Sequence, residues 1–157
     1  MFFKKKIKPS DEHGEYFRYR DSLTGCMNKT RAIKEFEKHK GNPDMGGVLI
    51  RLRCADEMAV YKGERLIKET AVIITNIFKG DVFRLEMGDF LVFTTGCESM
   101  ADKINYFLSA LSDDEERRYA VAAMKFDKNE KDYSVFMHRL YRGVRIAEGI
   151  NGKSAIY

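Results

Sequence analysis

The stretch Arg84-Leu85-Glu86-Met87-Gly88-Asp89-Phe90-Leu91-Val92-Phe93 decides how the rest of the chain is read. Aromatic and aliphatic residues fill both arms, and the only turn chemistry lies between them, so the pattern predicts strand, tight turn, strand. Gly88 is the residue best able to adopt a positive φ, which places the reversal at Met87-Gly88 and lifts Glu86 and Asp89 to the tip of a hairpin.

Around this hairpin the chain has one domain's worth of residues, 157, with 44% apolar and 33% charged side chains, as in an ordinary globular protein. No apolar run approaches the roughly 20 residues needed to span a bilayer, and Met1-Phe2-Phe3-Lys4-Lys5-Lys6 lacks the apolar segment of a signal peptide. A net charge of +4, spread along the chain with clumps at residues 4–8 and at Arg117-Arg118, gives no argument for a nucleic-acid partner. Cys26, Cys54 and Cys97 show neither paired nor metal-ligand spacing and read as reduced thiols of a cytoplasmic protein. His13, His39 and His138 are isolated in the sequence and predict no metal site.

The segment Asp21-Ser22-Leu23-Thr24-Gly25-Cys26-Met27-Asn28-Lys29 precedes a helix for which Asn28 is a good N-cap. Ile33 and Phe36 form its short apolar stripe, and Gly41-Asn42-Pro43 ends it. Val48 to Arg53 alternates as a strand after Gly46-Gly47, with Val48, Ile50 and Leu52 on one face and Leu49, Arg51 and Arg53 on the other. Met58 to Glu64 reads as a loop. Glu64 to Phe78 is an amphipathic helix with Leu66, Thr70, Ile73 and Ile77 on one stripe and Ile67, Ala71, Ile74 and Phe78 widening it. After a turn at Lys79-Gly80-Asp81 and the hairpin come a helix marked by Met100, Ile104, Phe107, Leu108 and Leu111, an acidic loop at Ser112–Glu116, and a strand over 119–126. Asp127–Asp132 is a charged loop. Ser134 caps a last helix whose inner face carries Met137, Leu140, Tyr141, Val144 and Ala147; Gly149 and Gly152 end it, and Ala155-Ile156-Tyr157 is a candidate final strand. This order predicts an α+β fold with helices packed on a mainly antiparallel sheet.

Two of these segments carry a resemblance. Asp21 to Lys29 is similar to the D-x-L-T-G-L-x-N-R motif of the GGDEF family, the bacterial diguanylate cyclase domains, with Asp21, Leu23, Thr24, Gly25 and Asn28 identical. Arg84 to Phe90 resembles the family's R-x-G-G-D/E-E-F hairpin: Arg84, Asp89 and Phe90 fit, while Glu86 and Met87 replace both glycines and Gly88 replaces an acid. The resemblance covers residues 21–157 and implies a nucleotidyl-cyclase-like α+β domain with a central, mainly antiparallel sheet of about five strands flanked by helices. Residues 1–20 would be an arm or linker, the counterpart of the stalk that joins such domains to sensors.

The same resemblance implies a degenerate site. The family's strand acids, the first a magnesium ligand, correspond to Arg51 and Arg53. The guanine-contacting loop is shortened, with Gly63-Glu64 as the nearest stand-in, and the inhibitory R-x-x-D positions hold Ile77 and Gly80. In the triphosphate-holding motif at the end of the last helix, Glu148 replaces the lysine and Lys153 stands in for the arginine. No catalytic residue is assigned at Glu86, Met87, Gly88, Asp89 and Phe90. No cofactor is expected, magnesium included. Arg51 or Arg53 is expected to pair with Glu86 or Asp89 in the volume of the metal, the alternative being that the arginines snorkel from the sheet surface. Arg84 and Asp21 are candidates for a second, structural pair.

The expected function is thus a catalytically inactive signalling or regulatory domain of c-di-GMP signalling, acting as a homodimer or with a partner signalling domain. The alternative is a pseudo-enzyme that binds GTP or c-di-GMP, with Arg51, Arg53, Lys62, Glu64 and Lys153 as candidate ligand contacts. Residual diguanylate cyclase activity ranks third.

Overall fold

The computed structural model describes residues 17–53, 60–110, 119–149 and 154–156. Its elements in chain order are α1 (Lys29–His39), β1 (Met45–Leu52), α2 (Val60–Phe78), β2 (Asp81–Arg84), β3 (Asp89–Thr95), α3 (Cys97–Ala110), β4 (Tyr119–Lys125), α4 (Tyr133–Glu148) and β5 (Ser154–Ile156). They build a five-stranded sheet in the order β2-β3-β1-β4-β5. Each neighbouring pair among β2, β3, β1 and β4 is antiparallel, and β5 lies parallel to β4.

Period-two alternation in the strands divides the core into two layers. Val48, Ile50 and Leu52 of β1 join Val82, Phe90, Val92, Val121 and Ala123 on the face covered by α2 and α3. Leu49 joins Phe83, Leu91, Phe93, Ala120 and Ala122 on the face covered by α1 and α4. The buried strip of α2, Leu66, Ile67, Ala71, Ile74 and Phe78, follows the expected helical spacing, and Thr70 is buried with it because its hydroxyl lies 2.9 Å from that of Tyr119. On the opposite face α4 lies close to the sheet: a Cβ on Gly143 would stand 2.8 Å from the Ala122 methyl.

Asn28 caps α1 by accepting from Arg31 N. Ile33, expected inside, is 40% exposed. The buried strip of α1 is instead Ala32, Glu35 and Phe36, and the Glu35 charge is tolerated because Arg31 and Lys38 flank it. Strand β1 begins at Met45 and takes in Gly46-Gly47, which were read as its boundary. Val60 to Glu64 is helical, the start of α2, and not a loop. Asp132, not Ser134, caps α4: it holds the extended position before the helix, and one of its carboxylate oxygens accepts from both Ser134 N and Val135 N. Tyr141 is only partly buried, and Phe136 takes the deeper place.

Several expectations lie outside the described residues: the arm over residues 1–16, Met58 and Ala59, Leu111, the acidic Ser112–Glu116, Gly152, Lys153 and Tyr157. The described residues before Asp21 are bonded to the domain. Asn28 Nδ2 donates to Arg18 O, Asn28 N donates to Tyr19 O, and Arg20 forms a bridge with Met27.

Candidate functional site

The turn between β2 and β3 stands at the end of the sheet where β1 finishes. Leu85 N donates to Asp89 O and Asp89 N to Glu86 O, which closes the reversal. The residue with positive φ is Met87, at +49°, and not Gly88 as expected. Gly88 is required for another reason. Its carbonyl accepts from Leu52 N at 2.8 Å, and a Cβ there would lie 2.6 Å from Leu52 O. The turn is pressed onto the end of β1, so the backbone bonded to Leu52 must be glycine and the left-handed conformation falls on its neighbour. Glu86 and Met87 are exposed at the tip, whereas Asp89 is the buried first residue of β3.

That burial has a cause. Arg51 stands directly opposite Asp89 in the antiparallel register. Arg51 Nε donates to Asp89 Oδ1 at 2.8 Å and Nη2 donates to Oδ2 at 3.1 Å, a two-pronged, charge-assisted contact. Nη1 reaches Glu148 Oε1, at the end of α4, at 3.4 Å. The Tyr141 ring lies 5.6 Å from the guanidinium carbon. The bonds from Asp89 outweigh burial and, with Glu148, hold the guanidinium even more firmly protonated than usual. Burial, with the Asp89 and Glu86 charges, pushes the Tyr141 phenol up despite the nearby Arg51.

A cleft of about 410 Å³ opens over this pair, lined by Arg51, Leu52 and Arg53 of the β1 end, Glu86 to Asp89 of the turn, and Glu148. Lys62 and Glu64, on the first turns of α2, are not among the described residues that line it, and Lys153 lies outside the described residues. The roles of Glu148 and Tyr141 as neighbours of Arg51 were missed at the level of sequence. The signal available lay in the motif resemblance, which sets Arg51 at a strand acid and Glu148 at a helix lysine, two positions of opposite sign change.

Arg84 holds the other side of the turn. Nη1 donates to Asp21 Oδ1 at 2.9 Å, and Nε and Nη2 donate to Met87 O at 3.2 and 3.0 Å. Asp21 Oδ2 accepts from the Thr24 N–H and hydroxyl at 2.9 and 2.7 Å. Burial alone would raise the Asp21 carboxyl, but the Thr24 bonds and Arg84 bring it below its ordinary value. Beyond it, Met27 N donates to Val82 O and Arg84 N to Met27 O, which covers the outer edge of β2. The Asp21–Lys29 segment is therefore a strap that fastens the N-terminal region to the hairpin. Within it Cys26 is a free thiol pushed up by burial, which disfavours a nucleophilic role.

This architecture is that of GGDEF domains. The chain aligns with the FimX GGDEF domain of Pseudomonas aeruginosa at a TM-score of 0.77 and 14% identity, over 88% of this chain and 99% of that one. A diguanylate cyclase/phosphodiesterase structure from Caldicellulosiruptor saccharolyticus aligns at 0.74 and 18% identity, over 90% of this chain and 94% of the other. The coiled coil and GGDEF domain of DgcB from Caulobacter crescentus, solved in complex with c-di-GMP, aligns at 0.73 and 14%, over 92% and 88%. No family model and no curated protein matches the sequence. The molecule is a GGDEF-like domain by fold, and no described helix is long and apolar enough to cross a membrane.

Proposed function

We propose that this domain is a catalytically inactive GGDEF-like module of a signalling or regulatory protein, in which an internal ion pair takes the volume that a metal–nucleotide complex fills in active relatives. The supporting observation is the bidentate Arg51–Asp89 contact. A magnesium ion at this turn requires oxygen anions, and Asp89 is the acid the turn would offer. A guanidinium already holds both oxygens of that acid. A pair of like unit charges about 4 Å apart repel by on the order of 4 kcal/mol at an effective dielectric near 20, and a cation beside Arg51 meets that repulsion. Arg51 is in addition kept in place by Glu148. Glu86 and Met87 bring bulk and charge to a turn that is glycine in the family signature.

The domain keeps the features that shape the fold, the Asp21–Arg84 strap and the hairpin, and the buried acid of the hairpin turn, Asp89, is held by Arg51 and not free for a metal there. Its expected work is therefore assembly, either with a second copy or with a neighbouring signalling domain. The test is direct. Purified protein incubated with GTP and either magnesium or manganese is expected to form no c-di-GMP by chromatography, and turnover above the buffer blank would overturn the reading.

Nucleotide binding without turnover is the alternative, favoured by one observation: Arg53 lines the same cleft as Arg51. Two guanidinium groups suit a phosphate in the absence of metal. Calorimetry with GTP, GDP and c-di-GMP separates the readings, since heat with any of them supports a binding module and none with all three removes it.

A further inference from the structure

On the opposite side of the strap, at the last turn of α1, Glu35 and His39 lie one helical turn apart and face Asp81, the first residue of β2. One ligand atom from each lies within 4.8 Å of the others. His39 Nε2 is 3.6 Å from Glu35 Oε2. Glu35 is 6% exposed, and both of its cationic partners use the other oxygen: Arg31 Nη2 and Lys38 Nζ meet Oε1 at 2.8 and 2.9 Å. The Asp81 backbone belongs to the β2–β3 ladder, opposite Phe93, while its carboxylate makes no hydrogen bond or ion pair among the described residues. A half-buried carboxylate without a partner therefore faces a second carboxylate oxygen and an imidazole nitrogen.

We propose that Glu35 Oε2, His39 Nε2 and Asp81 form a binding site for a divalent transition ion of the zinc type. One imidazole and two carboxylates are a ligand set of that class. In a tetrahedral site with bonds of about 2.0–2.2 Å, neighbouring donors stand roughly 3.3–3.6 Å apart, and the Glu35–His39 separation already meets that edge. Asp81 closes the remaining gap by a side-chain rotation, because it follows directly on the turn at Lys79-Gly80. Arg31 and Lys38 act on the outer side of Glu35 and fix the orientation of its carboxylate. Their positive charge makes the site weaker than a closed zinc centre, and three protein donors leave a fourth position for water. The ion would tie the end of α1 to the edge strand β2, whose Phe83 shares a core cluster with Ala32 and Phe36 of α1.

Cobalt(II) is a suitable probe because its visible absorption reports low-coordinate nitrogen and oxygen ligation. Tag-free protein titrated with cobalt chloride is expected to develop this absorption with saturation at one equivalent, and zinc is expected to displace it. His39→Gln and Asp81→Asn, which alter half-buried side chains, are each expected to weaken binding at least about tenfold. Without metal both variants are expected to keep the wild-type circular dichroism spectrum, and zinc is expected to raise the melting temperature of the wild type alone. No absorption at stoichiometric cobalt would overturn the proposal. So would equal affinity in wild type and the His39→Gln variant, since the ion would then sit elsewhere, on the cysteines for example.

Discussion

Arg51 and Asp89 face each other across β1 and β3, and both carboxylate oxygens of Asp89 are held by the one guanidinium. Asp89 is 7% exposed, so it depends on this partner. Arg51→Ala is expected to destabilise the fold by about 2–3 kcal/mol, less than the about 3–5 kcal/mol of a fully buried pair because the Arg51 side chain is 28% exposed. Adding Asp89→Asn to Arg51→Ala should recover part of the loss, since the stranded charge goes with the acid. Urea denaturation of the four proteins of the cycle measures the coupling. Strict additivity would mean that the two groups do not depend on each other.

The motif resemblance sets Arg51 at an acid position and Glu148 at a lysine position, and the two side chains meet at 3.4 Å. Setting both to the motif, as Arg51→Asp with Glu148→Lys, places two carboxylates at the turn beside a lysine. The double variant is expected to bind manganese-GTP at least about tenfold more tightly than the wild type, a gain of about 1.4 kcal/mol. Calorimetry or manganese paramagnetic resonance reads the gain. Glu86 and Met87 still crowd the turn, so this variant should bind the nucleotide without cyclising it. Unchanged affinity would show that the obstacle lies in those two residues instead.

The fold was legible because its information is local and periodic. Val48 to Leu52 alternates, Leu66 to Phe78 repeats at helical spacing, and Asp21 to Asn28 matches a motif whose Asp–Thr and Asp–Arg contacts make the strap. What escaped the sequence depends on residues that meet from far along the chain. Arg51 and Glu148 are 97 positions apart, and nothing local to either names the other. His39 looked isolated because its neighbour Asp81 arrives on another element. The turn was misread for the same reason: a lone glycine in a reversal suggests a positive φ, yet here its missing Cβ serves contact with Leu52. Even the α4 cap turned on which of two good capping residues, Asp132 or Ser134, stood at the non-helical position.

The hairpin offers a comparison between adjacent residues. Gly88→Ala puts a methyl 2.6 Å from Leu52 O, a backbone atom that cannot turn aside, and is expected to cost about 1–3 kcal/mol. Met87→Gly relieves a left-handed residue at φ +49° but adds freedom to the unfolded chain. The two effects are each about 1 kcal/mol, so its stability should stay within about 1 kcal/mol of wild type. Thermal melts rank the variants, and a harmless Gly88→Ala would refute the close approach of the turn to β1.

Asp21 links acid stability to the strap. Its carboxyl is held below the ordinary value of 3.8 in the folded protein, chiefly by the Thr24 hydroxyl and N–H and by Arg84 acting against burial. Between the folded and unfolded values the unfolded chain carries the extra proton, so stability rises with pH there. This contribution is complete above about pH 4 and is lost as pH falls through the lowered folded value. Asp21→Asn keeps the size of the side chain but removes the charge from Arg84 and one acceptor from Thr24, at an expected cost of about 1–2 kcal/mol at pH 7. Because the variant has no carboxyl to protonate, its deficit should shrink steadily as the pH is lowered below 4. Urea midpoints at pH 7, 5, 4 and 3 measure it. A deficit equal at all four would place the loss in packing and not in the ionised carboxylate, and a deficit that grew toward acid would reverse the sign of the linkage.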